Sequence, residues 1–544
     1  MSTVAHDRAA SAATSSPPVE RPDRAGRRAV WRVDRSRSAP LWPVLVAALN
    51  ALCFWIARPS VGDLQAALSR ASGATHGVGL GYWFAWFGGG STPGNYSVVT
   101  PYLSALLGAL GAGALATVAI TVLARRAALG TSHIAAATWV ATVAAGLNLW
   151  SGRIPFAVGT AAALIGLIGV RERRGWLALV GMVLAALCSP VTGAFLLFVL
   201  GAAFLVEPSY RRLIFWLCAA CGLALIGIAL FFGTPGPQGY PAQSAFFAAA
   251  TALFMLIARP APAVRVALWC TAIAAPLVFA VPNGLGSNLS RLPWLCLPAA
   301  VAATAAARPR LVALALTPAL ACAAYATTAD LVHSRSPAAA ASYYQPLISQ
   351  LDRVSGRANY RLEVVQDPQV HTAAYALLGH AALAGGYETQ EQHKLNRILE
   401  DKAHLNATSY KVWIDNNAVG YVAYNVNDDT DAPEYALVKA GGLPYLREVS
   451  RQGDWVLYRV LHPTPIVAPP QRLVHAGQAT MVISVPCACT FPVRVRYSKF
   501  LTAEIAGQPG SAARVRDDGL GWTTVITRRP GTYTLRGDVT RPLR

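Results

Sequence analysis

The sequence predicts a polytopic α-helical membrane protein whose C-terminal part lies outside the membrane and combines an α/β domain with a β-sandwich. Three observations carry this. The 544 residues are 54% hydrophobic and only 13% charged, which is too apolar for an ordinary soluble chain of this length. Ala, Leu, Val and Ile recur between residues 40 and 332 in blocks of roughly 15 to 22, close to what a helix needs to cross the hydrocarbon core. Beyond residue 332 no such block occurs, and the pattern becomes polar and strand-rich.

Residues 1–39 are rich in Ser, Ala, Pro and Arg and lack apolar periodicity. They read as a disordered, basic cytoplasmic tail. Arg24, Arg27, Arg28, Arg32, Arg35 and Arg37 precede the first apolar run and hold the N-terminus inside. That run is read as an uncleaved span, because a uniform series of spans follows it.

Residues 40–332 form the transmembrane domain, with spans at 40–57, 98–124, 133–150, 154–170, 175–188, 192–206, 213–233, 244–257, 266–281, 293–307 and 311–332. This is about eleven helices. Every second span ends in arginines, at 125–126, 171 and 173–174, 211–212, 259 and 265, and 308 and 310, as the positive-inside bias requires. The expected topology is a multi-pass plasma-membrane protein with a cytoplasmic N-terminus and an extracytoplasmic C-terminal region. The net charge of +20 sits largely in the tail and these short loops, which speaks against nucleic acid as a partner.

Residues 333–462 mix strands and helices, with strands expected at 361–366, 420–426 and 454–461 and helices at 371–384, 388–401, 407–417 and 433–441. Residues 463–544, after a proline-rich link, show short strands at 472–477, 479–486, 491–498, 501–507, 522–528 and 532–537, the pattern of a small β-sandwich. Cys487 and Cys489 form a C-x-C that fits either a disulfide or two free thiols.

The chemistry is expected in the first outer loop, residues 59–101. It is long, glycine-rich at Gly88–Gly90, and contains a single acid, Asp63. A carboxylate at this position is either an interfacial charge or a general base placed where a lipid-linked substrate presents its head group. Tyr82, Trp83 and Trp86 belong either to an interfacial aromatic belt or to a sugar pocket, since aromatic faces pack on sugar C–H faces. Arg153 and Arg291 stand on the outer side against the charge bias, and arginine is a natural ligand for phosphate. The polar stretch with Gln390, Gln392, His393, Asn396 and Arg397 reads as a solvated face, with a carbohydrate contact as the alternative. His76, His371, His380, His393 and His404 show no metal-ligand spacing. P-loop, nucleophile-elbow, H-E-x-x-H and dinucleotide fingerprints are absent from the sequence.

Asp63, the segment Asn95-Tyr96-Ser97-Val98-Val99-Thr100-Pro101 and the segment Ser151-Gly152-Arg153-Ile154-Pro155-Phe156 give the chain a resemblance to actinobacterial membrane proteins related to the GT-C glycosyltransferase superfamily. GYETQEQHKLNRILE, YKVWIDNNAVGYVAY and VRVRYSKFLTAE extend it beyond the membrane part. The resemblance implies transfer of a sugar from a polyprenyl-phosphate donor to a cell-envelope glycan or lipid acceptor at the outer membrane face. It assigns the role of base to the acid of the first outer loop, here Asp63. Many relatives carry a second acid beside it, whereas Gly62 precedes Asp63 and Gln65 follows, so no metal or other cofactor is expected. The competing readings are a non-catalytic transporter or flippase of a lipid-linked glycan, and an envelope assembly or binding protein.

Overall fold

The computed structural model describes residues 41–365, 370, 372–428, 430, 432–505, 508 and 512–541. The tail 1–39 and His371 lie outside these described residues. Each apolar block is helical. Five helices are long and apolar enough to cross a membrane alone: Ala109–Ala128, Ile154–Arg171, a helix within Pro208–Phe232, Pro262–Ala280 and Pro309–His333. Shorter apolar helices, Ile134–Trp150, Gly175–Cys188, Pro190–Val206 and Ala242–Ala258, pack among them. The outward faces carry large apolar side chains such as Leu49, Leu115, Trp216, Leu223 and Leu230. Apolar residues on a helix's solvent side are unfavourable in water and suit lipid, so the chain is a multi-pass membrane protein.

Small residues let these helices approach closely. A Cβ on Gly169 would lie 2.4 Å from the backbone of Ala178, and one on Gly181 would lie 2.3 Å from that of Gly166. These contacts seat helix Ile154–Arg171 against Gly175–Cys188. At the C-terminal end of Ile154–Arg171, Glu172 pairs with Arg126 at 2.6 Å. The charges that close two alternate spans therefore meet there, away from Arg153 at the helix's other end.

The first helix, Trp42–Ala57, ends at Arg58, and the chain turns by 76° into helix Gly62–Thr75. Beyond Thr75 the chain enters the C-terminal region. That region holds a four-stranded sheet of β1 (Arg361–Val365), β2 (Val419–Asn425), β3 (Leu446–Gln452) and β4 (Trp455–Val460), in the order β1-β2-β4-β3. β1 and β2 are parallel and the other pairs antiparallel. An antiparallel seven-stranded sheet follows: β5 (Arg472–Ala476), β6 (Thr480–Val485), β7 (Thr490–Arg496), β8 (Leu501–Ile505), β9 (Ala512–Asp517), β10 (Trp522–Ile526) and β11 (Gly531–Gly537), in the order β5-β6-β11-β8-β9-β10-β7. Its inward residues, among them Ile483, Val493, Leu501, Val525 and Leu535, share one core. Cys487 and Cys489 are joined as a disulfide.

The expected helix 371–384 is only Ala373–Ala376. The chain turns at Gly379, where φ is +86°, and residues 382–384 then pair with β1: Leu362 N–H donates to the Ala382 carbonyl and Ala384 N–H to that of Leu362. The expected helix 388–401 divides into Thr389–Leu395 and a 3-10 turn, Arg397–Glu400.

The loop of residues 59–101 is part of this architecture. Ala85 accepts from Leu383 N–H, Phe87 N–H donates to Gly385, and Phe84 N–H donates to Gln478. Trp83, Trp86 and Phe87 lie in the core of the four-stranded sheet's domain, and Tyr82 and Phe84 in that of the seven-stranded sheet.

Candidate functional site

Asp63 occupies the first turn of helix Gly62–Thr75, where the helix dipole favours a negative charge. The chain brings three partners to it from distant segments. Arg153 follows the turn Ser151-Gly152, and Gly152 has φ +74°. A Cβ there would stand 2.6 Å from the Leu64 backbone nitrogen, so glycine alone lets this turn lie against helix Gly62–Thr75. Arg153 Nε then reaches Asp63 Oδ2 at 3.2 Å. The same turn is tied to the last long helix, where Ser151 donates to Thr327 Oγ1 at 3.2 Å. One helical turn on, Asp330 Oδ2 meets Arg153 Nη2 at 3.1 Å.

Arg291 stands at the end of the 3-10 turn Gly286–Ser290, before the π-helical stretch Leu292–Cys296. Its Nη2 lies 3.7 Å from Asp63 Oδ2, a charge contact longer than a hydrogen bond. Tyr387, from the loop that follows residues 382–384, donates its hydroxyl to Asp63 Oδ1 at 2.7 Å. Burial would raise the Asp63 carboxyl, but the charges of Arg291 and Arg153 and the Tyr387 hydrogen bond outweigh it and hold the group below the usual carboxylate range. Burial, and then the charge of Asp63, push the Tyr387 hydroxyl well above the ordinary phenol range. Tyr387 is therefore a fixed donor to a fixed carboxylate.

Asp63 and Arg291 remain 27% and 20% exposed, so both are reachable from outside. The Arg291 side chain makes no hydrogen bond within 3.5 Å to another described residue, which leaves its guanidinium donors available. Directly below it, Arg291 covers the ring of Phe156 at 5.5 Å. Phe156, Asn148, Leu292 and Cys296 help to line an almost wholly apolar cavity of about 160 Å³ between the helices, together with Ile120, Leu164 and Val199. The arrangement sets an acceptor carboxylate and a surplus of donors beside Phe156, one wall of this apolar cavity. Among the described residues no three His, Cys, Asp or Glu side chains converge as metal ligands, and the Arg153 guanidinium occupies the place between Asp63 and Asp330.

The structure thus brings together Asp63, Arg153 and Arg291. It does not bring Tyr82, Trp83 and Trp86 to them. These are 2%, 1% and 0% exposed. Tyr82 donates to the Arg496 carbonyl at 2.7 Å, Trp86 donates to that of Ala374 at 3.1 Å, and Trp83 lies on Trp86 with centroids 4.3 Å apart. No aromatic face is left for a sugar; the three side chains bind the loop to the C-terminal domains.

Sequence reasoning missed Asp330 and Tyr387. Asp330 carried a readable signal, since it is the only acid between Glu207 and His333 and an acid inside an apolar run is a functional mark. Tyr387 stood in the GYETQEQHKLNRILE segment that carried the resemblance, but nothing local marked it as a partner of Asp63. A further group also went unread: Arg70 forms a buried ion pair with Glu388 and lies over the Tyr96 ring at 3.7 Å. This pair fixes the residue next to Tyr387 onto the Asp63 helix.

No protein-family model and no curated protein sequence matches the chain. Among solved structures the chain is similar to the arabinofuranosyltransferase AftD from mycobacteria, at 18% identity with a TM-score of 0.49 over 79% of this chain and 40% of that one. For the AftD mutant R1389S the figures are 17% identity and a TM-score of 0.44, over 81% of this chain and 43% of that one. The chain therefore spans well under half the length of the structures it resembles.

Proposed function

We propose that this protein is a membrane glycosyltransferase that takes a sugar from a polyprenyl-phosphate donor and passes it to a hydroxyl of an envelope glycan or lipid at the outer face of the plasma membrane. The observation that carries this reading is that Asp63 and Arg291 meet, and that Arg291 lies over Phe156, which together with Leu292 lines an apolar cavity between the helices. A polyprenyl chain suits the cavity and its phosphate suits the Arg291 donors, with Arg153 adding charge. Asp63 accepts the proton of the acceptor hydroxyl as its oxygen attacks the anomeric carbon. The bond from that carbon to the phosphate oxygen breaks, and polyprenyl phosphate leaves with the electron pair. The leaving phosphate needs no proton, so one carboxylate suffices. Asp330 holds Arg153 from the side away from Asp63 and keeps its guanidinium in place.

The test is sugar transfer from radiolabelled polyprenyl-phosphate sugars by purified protein and its Asp63→Asn variant. A positioned base contributes about 10²–10⁴-fold, so the variant is expected to lose at least a hundredfold in turnover while still binding donor. Equal transfer by both proteins, or none by the native protein with any such donor, overturns the reading.

A further inference from the structure

A second cavity lies in the α/β domain and has no part in the chemistry above. It measures about 140 Å³. Since one water needs roughly 10–15 Å³ on this measure, the space takes on the order of ten water-sized groups, the scale of one sugar ring. Its deep side is formed by Glu363 of β1 and Glu434 of helix Pro433–Lys439, only 4% and 7% exposed. Thr389 and Glu400, both exposed, stand at the rim. Gln392 and Tyr387 contribute to the sides, with Leu362 and Leu383 as apolar wall.

The chemistry of this lining is specific. One oxygen of Glu434, in a side chain more than nine-tenths buried, has no hydrogen-bond partner among the described residues, an arrangement that costs stability unless a ligand supplies a donor. Burial, together with the nearby Glu434, holds Glu363 well above the usual range, and burial brings Glu434 up to about 7. The pair thus avoids carrying two full charges, which suits a neutral partner rich in hydroxyl donors better than a cation. Tyr387 borders this cavity and donates to Asp63, so one side chain separates the cavity from the candidate reaction centre.

We propose that this cavity is a carbohydrate subsite that holds one sugar ring of the acceptor glycan, with Glu363 and Glu434 accepting hydrogen bonds from ring hydroxyls. The word acceptor rests on the proposed transferase reading; sugar binding itself does not. The test is saturation-transfer NMR on the full chain in lipid nanodiscs, with methyl pentofuranosides and methyl hexopyranosides as probes. Native protein is expected to bind at least one of these. Glu434→Gln and Thr389→Trp, the second a rim position whose change leaves the core untouched, are each expected to weaken that binding at least tenfold. Absence of binding to native protein, or equal binding to both variants, overturns the proposal. Polyprenyl-phosphate binding is measured on the same samples. Glycoside binding without it sinks the transferase reading and leaves the subsite. Polyprenyl-phosphate binding without glycoside binding sinks the subsite and leaves the transferase.

Discussion

Replacing Tyr387 with Phe removes a single oxygen, the one that donates to Asp63 Oδ1 at 2.7 Å. The ring and its packing stay. A hydrogen bond to a charged group contributes about 1.5–3 kcal/mol, and each 1.36 kcal/mol corresponds to one pKa unit, which sets an upper range of about one to two units. Asp63 is 27% exposed, so water replaces part of the lost bond and about one unit remains. The sign follows from the direction of the native shift. Asp63 is held below its ordinary value partly by this hydroxyl, so its loss raises the folded-state pKa. The acid limb of the transfer-rate profile should move up by about one pH unit, with donor binding unchanged. A stability contribution of the same bond is present above the ordinary aspartate pKa and is lost as pH falls through the native one. The assay is sugar transfer from pH 3 to 8 for native and Tyr387→Phe protein. An acid limb that stays in place would refute the assignment of Asp63 as the titrating base.

Other perturbations act on the supports of the site. Gly152→Ala puts a Cβ 2.6 Å from Leu64 N at φ +74°; backbone strain of about 1–3 kcal/mol should lower the melting temperature, and displacement of Arg153 should cut transfer at least tenfold. Arg70→Met should destabilise by about 3–5 kcal/mol because Glu388 is left buried and unpaired, and adding Glu388→Leu should recover most of that in chemical unfolding. Burial pushes Glu391 and Glu434 up to about 7, so the native state holds protons that the unfolded chain has released. Stability from these groups is therefore greatest below the ordinary glutamate range and is lost as pH rises from about 4.5 through 7; thermal melts across that interval, native against Glu391→Gln, should show the variant with the flatter profile.

Much of the membrane part was legible because lipid imposes a coarse rule. A segment of Leu, Ala and Val long enough to span reads as helix whatever its neighbours do, and Arg153 and Arg291 drew attention by breaking the charge bias. The aromatic cluster was legible as important but not as to its role. Tyr82, Trp83 and Trp86 adjoin a glycine run, a pattern shared by a sugar pocket and by a tight packing joint, and only distant partners such as Ala374 and Arg496 distinguish the two. The strand Leu446–Gln452 escaped because it is largely exposed and charged, as edges often are. Ala512–Asp517 escaped because Arg514 and Arg516 flank its inward Val515. Tyr387 reaches Asp63 from 324 positions away and Asp330 reaches Arg153 from 177, and no local periodicity encodes either meeting.

The threading of residues 82–87 through both C-terminal cores has a consequence for biosynthesis. This stretch leaves the ribosome well before the strands that enclose it, from Arg361 to Gly537. Trp83, Trp86 and Phe87 must therefore wait, uncovered, while the intervening helices are inserted. The late domains then close around an element already anchored at the membrane surface. A chain beginning at residue 333 would lack these rings and expose the surfaces that receive them, so the C-terminal region should aggregate when made alone and recover when a peptide of residues 78–97 is supplied.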